Sequence, residues 1–255
     1  MAVDLSRDGD AAVLILNRPE KLNALSFAVL GEIDAALDQV KEWPVRALIV
    51  MGAGGKAFCA GADIEELRHR TLMQQKAGAE IGQAVFEKIA RLPIISIAMI
   101  EGFAFGGGLE LALACTFRLG TSKAKLGLPE IKLGLIPGYG GTQRLPRIVG
   151  ETRALELILS GRTVLAEEAL RIGLVNRLVE GNPREAALAF AREFTGHGLV
   201  ALHLAREAVS RALDVPILEG LKIEADLSTL AYRTSDAEEG MAAFIEKRKP
   251  EWKDG

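Results

Sequence analysis

Apolar residues along the first hundred positions follow two alternating patterns. Residues Ala11–Leu16, 46–51 and 94–100 are short apolar runs, which are typical of buried strands. Between them, apolar residues recur three and four positions apart, after the potential helix cap Ser26 and again over residues 81–92, which predicts amphipathic helices. Strands that alternate with helices predict a mostly parallel sheet with helices packed on it.

The second half of the chain has a different pattern. Residues 117–128 read as two short strands around a turn, and from Thr152 onward the spacing predicts helices only, with Pro183 in the first turn of one of them. We therefore expect an α/β core in residues 1–195 and a helical region in residues 196–255. The wide apolar faces of the last helices must pack on the core or on another subunit, and the pattern favours neither.

Composition narrows the class of protein. The 255 residues are 49% hydrophobic and 25% charged, as in an ordinary globular protein that needs no disulfide or metal to support its core. The net charge of −3 argues against nucleic-acid binding. With two cysteines, no signal-peptide pattern and no apolar run of about 20 residues, we expect a cytoplasmic protein with reduced thiols and no membrane span.

Common catalytic motifs are absent. The three histidines have no metal-binding spacing, and no G-x-S-x-G sequence marks a hydrolase nucleophile. The glycine-rich residues 52–57 match nucleotide-binding loops poorly, because Ala57 stands where a phosphate loop needs Ser or Thr and no helical pattern begins at the glycines. We predict a simple turn after a strand at this position and no metal site.

Residues 102–117 carry one charge, Glu110, in an otherwise apolar helical pattern. A carboxylate there costs several kcal/mol of desolvation unless it is paired, protonated or used in chemistry. A buried Glu–Arg pair would satisfy it. The preceding residues 106–108 are all glycine, however, which allows close approach of a ligand to the free N–H groups of a helix start. This favours a base beside a site for an oxyanion.

Glu130 is a second acidic candidate, and by itself it reads as a solvated residue in a turn or at a helix start. Two carboxylates in one dry cleft would be different, because repulsion raises one pKa and separates the acid from the base. The sequence does not decide whether Glu110 and Glu130 converge.

Six segments in this order resemble the crotonase (enoyl-CoA hydratase/isomerase) superfamily. They are residues 17–25 (NRPEKLNAL), 57–64 (AFCAGADI), 106–111 (GGGLEL), 128–134 (LPEIKLG), 136–145 (IPGYGGTQRL) and 244–249 (FIEKRK). The resemblance runs from about Leu5 to the C-terminus. It implies an α/β fold built as a spiral of ββα units, with a C-terminal helical trimerisation region and assembly into a homo-trimer or homo-hexamer.

The resemblance also implies an activity, the addition of water to a trans-2-enoyl-CoA to give a 3-hydroxyacyl-CoA, as in fatty acid β-oxidation. Glu110 would take a proton from the attacking water and Glu130 would protonate Cα. The backbone N–H groups of Ala62 and Gly107 would form the oxyanion hole, and Gly138 would position the water. Many isomerases of the family keep only the second acid, whereas this chain has both.

Substrate-binding residues follow from the same resemblance. Coenzyme A, as part of the substrate rather than a cofactor, is expected along Lys21, Ala24, Ala60, Asp63 and Ile64, with Phe244 and Lys247 contributed by a neighbouring subunit. The acyl pocket is expected at Phe103, Phe105 and Tyr139, although core packing explains the two phenylalanines equally well.

Other functions remain open. One is an enoyl-CoA isomerase, and another is a hydratase of the methylglutaconyl-CoA type. Because relatives of the latter include an RNA-binding member, an RNA-binding protein is the alternative from a different class, and the acidic balance weighs against it. A dinucleotide-dependent dehydrogenase is a more distant possibility.

Overall fold

A computed structural model describes all residues, 1–255. The strands are β1 (Val3–Asp8), β2 (Ala11–Leu16), β3 (Ala47–Gly52), β4 (Ala57–Cys59), β5 (Ile95–Ile100), β6 (Phe103–Phe105), β7 (Phe117–Thr121), β8 (Lys125–Gly127), β9 (Val164–Leu165) and β10 (Arg177–Val179). The α-helices are α1 (Phe27–Glu42), α2 (Ile64–Leu67), α3 (Leu72–Ala90), α4 (Gly107–Ala114), α5 (Gly141–Val149), α6 (Glu151–Ser160), α7 (Ala166–Arg171), α8 (Pro183–Thr195), α9 (Leu199–Arg211), α10 (Ile217–Ala231) and α11 (Ser235–Glu246). Two 3₁₀ segments cover Pro19–Lys21 and Pro129–Leu133.

The larger sheet has six strands in the order β1-β2-β3-β5-β7-β10. All its pairings are parallel except that of β1 with β2. Strands β2, β3 and β5 are buried along nearly their whole length, as expected for parallel strands covered on both faces. The mostly parallel sheet predicted from the apolar runs is confirmed.

A smaller sheet, in the order β4-β6-β8-β9, positions the functional segments. The chain visits the two sheets alternately, because β3, β5 and β7 belong to the larger sheet and β4, β6 and β8 follow them in the smaller one. Strands β4, β6 and β8 are parallel, so their carboxyl ends meet at one edge. The segments that begin at residues 60, 106 and 128 therefore lie next to one another.

Two helices cover the sheets as the apolar spacing predicts. Ser26 caps α1, with its hydroxyl accepting a hydrogen bond from the N–H of Val29 at 3.2 Å. Helix α1 buries Leu30, Ile33 and Leu37 and packs against α3, which ends before Pro93.

Three features differ from the sequence-based expectation. The region after Thr152 is not purely helical, since it contains β9 and β10, whose two and three residues are too short to show a period of two. Residues 117–128 do form two strands, but β7 and β8 belong to different sheets rather than to a hairpin. Strand β1, an edge strand with mostly polar residues, was not predicted.

The chain divides into two compact units, Met1–Ala191 and Arg192–Gly255. The first contains both sheets. In the second, α9 and α10 pack against each other, and buried Asp236 binds the tail by accepting hydrogen bonds from the N–H groups of Lys253 (2.7 Å) and Asp254 (3.0 Å). No helix anywhere in the chain combines the length and apolar character needed to cross a bilayer.

Candidate active site

The segments that follow β4, β6 and β8, together with α2 and α3, enclose a cavity of about 660 Å³. Most of its lining is apolar, which suits a site that excludes water from a reacting group. Eight residues predicted from the sequence line it: Ala60, Ala62, Ile64, Gly107, Glu110, Glu130, Gly138 and Tyr139.

Glu110 is clamped by backbone amides rather than by an arginine. Every residue of α4 is buried, and Glu110 is only 2% exposed. Its Oε1 accepts hydrogen bonds from the N–H of Tyr139 at 2.8 Å and from that of Gly141 at 2.7 Å. Burial, and to a lesser extent the charge of Glu130, raise the pKa of Glu110 to about 7, although the two amide bonds favour the carboxylate.

Glu130 faces the same cavity from the 3₁₀ segment Pro129–Leu133. A Cβ atom added to Gly106, just before α4, would lie 3.0 Å from its Oε1. Its Oε2 is buried without a hydrogen-bond partner. Burial raises the pKa of this carboxyl, although a hydrogen bond from its own backbone N–H favours the charged form. The two acids therefore converge, which the sequence left open.

Two backbone N–H groups beside the acids are free. Gly107 is the first residue of α4, so its N–H has no partner within the helix. Residues 61–63 form a parallel β-bridge with Leu25, in which the carbonyl of Gly61 accepts a hydrogen bond and the N–H of Asp63 donates one. The N–H of Ala62 takes no part in this bridge. A Cβ on Gly61 would lie 3.6 Å from the nitrogen of Gly107, which shows how closely the two segments approach. Free donors on adjacent segments suit a developing oxyanion.

Tyr139 fills the space between α3 and α4. A Cβ on Gly82 would lie 2.3 Å from its ring, and one on Gly107 would lie 3.2 Å from it. Phe86 meets the ring edge-on, with centroids 5.7 Å apart. Burial, together with the charges of Glu110 and Glu66, raises the pKa of Tyr139 to about 12, so the hydroxyl stays protonated at neutral pH.

Comparison with known proteins identifies the family. Residues 7–255 match the family model described as enoyl-CoA hydratase/isomerase. The chain belongs to this family. The crystal structure of an enoyl-CoA hydratase from Bacillus anthracis matches it with a TM-score of 0.95 and 40% identity, over 100% of both chains. The resemblance and the crotonase-type fold predicted from the six motifs are thus confirmed.

Curated relatives of this family carry hydratase names. The chain is 42% identical over 250 residues to the crotonyl-CoA hydratase of Syntrophomonas wolfei, covering 96% of this chain and 95% of the relative. It is 41% identical over 253 residues to the mitochondrial methylglutaconyl-CoA hydratase of Homo sapiens, covering 94% and 73% respectively.

Phe103 and Phe105, predicted for the acyl pocket, do not line the cavity. They are two positions apart on β6 and so share one face of the strand. There they stack on each other with centroids 5.4 Å apart, and Lys125 lies over the ring of Phe103. Packing explains both side chains.

Several predicted coenzyme A contacts lie outside the cavity lining. These are Lys21, Ala24 and Asp63, with Lys21 Nζ 3.7 Å from the Asp63 carboxylate and 3.5 Å from that of Glu65. In the second unit, Phe244 of α11 is 85% exposed and Lys247 follows the helix in a left-handed conformation. Their contact with coenzyme A stays a prediction.

Sequence reasoning did not find eight of the residues that line the cavity. The residues it did not find are Leu67, Arg68, Gln75, Gly78, Ala79, Leu133, Leu135 and Ile136. One signal was present in Gly78 and Gly82, two glycines four apart inside a helix, because such a pair usually leaves room for a neighbour. The first makes room for Phe27 and the second for Tyr139.

The side chains offer little support for metal-dependent or cysteine-based catalysis. No group of three or more His, Cys, Asp or Glu side chains is placed to hold a metal ion. Cys59 and Cys115 are buried free thiols, and burial raises the pKa of each to about 12. They are therefore poor nucleophiles. Residues 53–56 of the glycine-rich segment form the predicted turn, between β3 and β4.

Proposed function

We propose that this protein hydrates trans-2-enoyl-CoA thioesters to 3-hydroxyacyl-CoA. The observation that carries the proposal is the meeting of two glutamates of unlike environment with two free backbone N–H groups at one cavity. Relatives named crotonyl-CoA hydratase and short-chain-enoyl-CoA hydratase favour a short acyl chain.

In this proposal the backbone binds the thioester oxygen. The thioester oxygen would accept hydrogen bonds from the N–H groups of Ala62 and Gly107. These bonds strengthen as the carbonyl becomes an enolate, so they lower the barrier rather than merely bind substrate. One such donor is typically worth about 10²–10³-fold in rate.

The two acids would then divide the proton transfers. With Oε1 held by two amides, Glu110 keeps Oε2 for a water molecule, which the backbone of Gly138 helps to position. One proton of the water passes to Glu110, the hydroxyl bonds to Cβ, and the proton carried by Glu130 bonds to Cα. Transfer of a proton from Glu110 back to Glu130 closes the cycle.

The remaining assignments are proposed together. Coenzyme A would lie along Lys21, Ala24, Ala60, Asp63 and Ile64, with Phe244 and Lys247 supplied by the next subunit of a homo-trimer or homo-hexamer. No separate cofactor is needed, because the thioester itself activates the double bond. We place the enzyme in the cytoplasm, in fatty acid β-oxidation.

The decisive experiment is hydration of crotonyl-CoA by the purified protein, followed as loss of the absorbance of the conjugated enoyl thioester. We expect turnover, and inactivity on every 2-enoyl-CoA tested would reject the proposal. Light scattering on the same sample tests the assembly, where a monomer would remove the role given to Phe244 and Lys247.

A second candidate substrate has an acyl chain that ends in a carboxylate. Arg68 is the one cationic side chain that lines the cavity. The relative named methylglutaconyl-CoA hydratase is similar over nearly the whole of this chain. Comparing kcat/KM for crotonyl-CoA and glutaconyl-CoA in the wild type and in Arg68→Met tests it: only a carboxylated substrate should lose affinity in the variant.

A further inference from the structure

The turn at residues 139–141 donates two N–H hydrogen bonds to Glu110. On its carbonyl side the same turn is bound by Arg144. Nη1 of Arg144 donates a hydrogen bond to the carbonyl of Tyr139 at 3.1 Å. Nη2 lies 3.0 Å from Oε2 of Glu87 on α3. One short turn therefore connects the buried carboxylate, through its N–H groups, to a guanidinium anchored on another helix.

Gly140 makes this arrangement possible. Its φ of +112° is one that residues with side chains rarely adopt, and a Cβ there would lie 2.2 Å from Nη1 of Arg144. The guanidinium of Arg144 thus fills the space that a side chain at position 140 would occupy. The N–H of Arg144 also donates to the carbonyl of Gly140 at 2.9 Å, so backbone and side chain brace the same three residues.

We propose that Arg144, anchored by Glu87, is a positioning residue for the hydration reaction, which fixes the turn so that both of its N–H groups bind Glu110. This inference rests on the proposed function. Arg144 does not line the cavity, so it acts through the turn rather than on the substrate.

Charge supports the same role. Three groups face Glu110 from the elements around it: Glu130 from the 3₁₀ segment, the neutral hydroxyl of Tyr139, and Arg144 from α5. Glu87 of α3 lies behind Arg144 and is paired with it. Arg144 is the member of this set whose charge favours the ionised form of Glu110. Removing it withdraws that charge and loosens the two amide bonds, and both changes raise the pKa of Glu110.

The test compares Arg144→Met with a matched control, Arg91→Met. Arg91 also binds Glu87, with its Nε 2.7 Å from Oε1, but it touches no part of the turn. For Arg144→Met we expect kcat to fall about 10–100-fold with little change in KM, since a misplaced catalytic group costs about this much. The acid limb of the kcat–pH profile should move up by about one unit. Arg91→Met should behave as the wild type.

Arg144→Lys separates charge from geometry, because lysine keeps the charge but cannot reproduce the two-pronged bonding. It should recover the acid limb and only part of kcat. Should Arg144→Met fold poorly, Glu87→Gln should still lower kcat severalfold, because it releases the guanidinium from its anchor on α3. Unchanged kcat and pH profile in Arg144→Met, or a loss that appears as raised KM with an unmoved acid limb, would overturn the proposal.

A readout without substrate separates this proposal from the proposed function. The carboxyl of Glu110 can be titrated by ¹³C NMR, with its signal assigned as the one missing in Glu110→Gln. Its pKa should be higher in Arg144→Met than in the wild type or Arg91→Met, whether or not the enzyme hydrates any thioester tested. An unshifted titration overturns the positioning role, whereas an inactive wild type overturns only the proposed function.

Discussion

Helix α4 and the 3₁₀ segment Pro129–Leu133 each bring one glutamate to the same cavity, but in opposite surroundings. All eight residues of α4 are buried, whereas the 3₁₀ segment has no buried residue and leads into the exposed apolar side chains of Leu135 and Ile136. Glu110 accepts two amide hydrogen bonds, while one oxygen of Glu130 has none. Under the proposed function, these surroundings would prepare identical side chains for different proton transfers.

The two helix starts near the site have separate tasks. The first N–H of α4, from Gly107, is left free for a ligand. The first N–H of α5, from Gly141, is used to bind Glu110. A helix start usually offers its N–H groups to an anion. Here the start of α5 binds the protein's own carboxylate, and the first N–H of α4 has no partner within its helix.

Glu110→Gln is the most severe test of the difference between the two glutamates. The variant keeps the shape and an acceptor for the two amides but cannot take a proton from water, so we expect kcat for hydration of crotonyl-CoA to fall by about 10²–10⁴-fold. Binding of a non-reactive CoA thioester, measured by calorimetry, should survive. Glu101→Gln, at a glutamate paired with Lys123 outside the cavity lining, is the control. Near-normal hydration in Glu110→Gln would contradict the base role.

Glu130→Gln should cost less, about 10²-fold in kcat, because this acid is less deeply buried than Glu110 and can be replaced in part by water as the proton donor. The difference between the variants can be sharpened in deuterated water. If Glu130 delivers the proton to Cα, the solvent isotope effect on kcat should grow in Glu130→Gln. Equal losses and equal isotope effects in both variants would mean that the two environments do not separate two roles.

Variants of Tyr139 test the proposal that the acyl chain lies at the end of the cavity between α3 and α4. Tyr139→Ala should open the space beside Gly82 and raise kcat/KM for 2-pentenoyl-CoA relative to crotonyl-CoA by about tenfold, since one methylene in an apolar pocket is worth about that much. Tyr139→Phe keeps the ring and is the matched control, with an unchanged ratio. A ratio unaffected by Tyr139→Ala would show that the acyl chain takes another direction.

A fourth expected effect concerns stability rather than rate. Because the pKa of Glu110 rises from 4.5 to about 7 on folding, the folded state binds more protons between these values, and stability falls as the pH rises through this window. Glu110→Gln removes that loss and should be more stable than the wild type by about 1–3 kcal/mol at pH 8. At pH 4 the difference should be small. Chemical unfolding at both pH values measures it, and equal stability at pH 8 would argue that Glu110 is ionised without cost.

Part of the site was accessible from sequence because its signals are local. Glu110 is the lone charge in residues 102–117, and the glycines before it mark a helix start that admits a ligand. Glu130 carried no such signal, since an acid after Pro129 is ordinary in a turn. Aromatic residues near a site resemble pocket residues in sequence, so the sequence did not separate the two interpretations of Phe103 and Phe105; strand alternation turns both to the face where they stack.

The sequence by itself determined which segments are buried, where the main helices begin, which family the motifs match, and that Glu110 needs a compensating environment. These properties depend on residues a few positions apart, whose periodicity is visible along the chain. Only the tertiary structure decided that Glu130 faces Glu110, that the amides of Tyr139 and Gly141 bind it, and that Arg144 braces their turn. Those contacts join residues that are distant in sequence, and they exist because parallel pairing of β4, β6 and β8 brings three separate loops to one edge of a sheet.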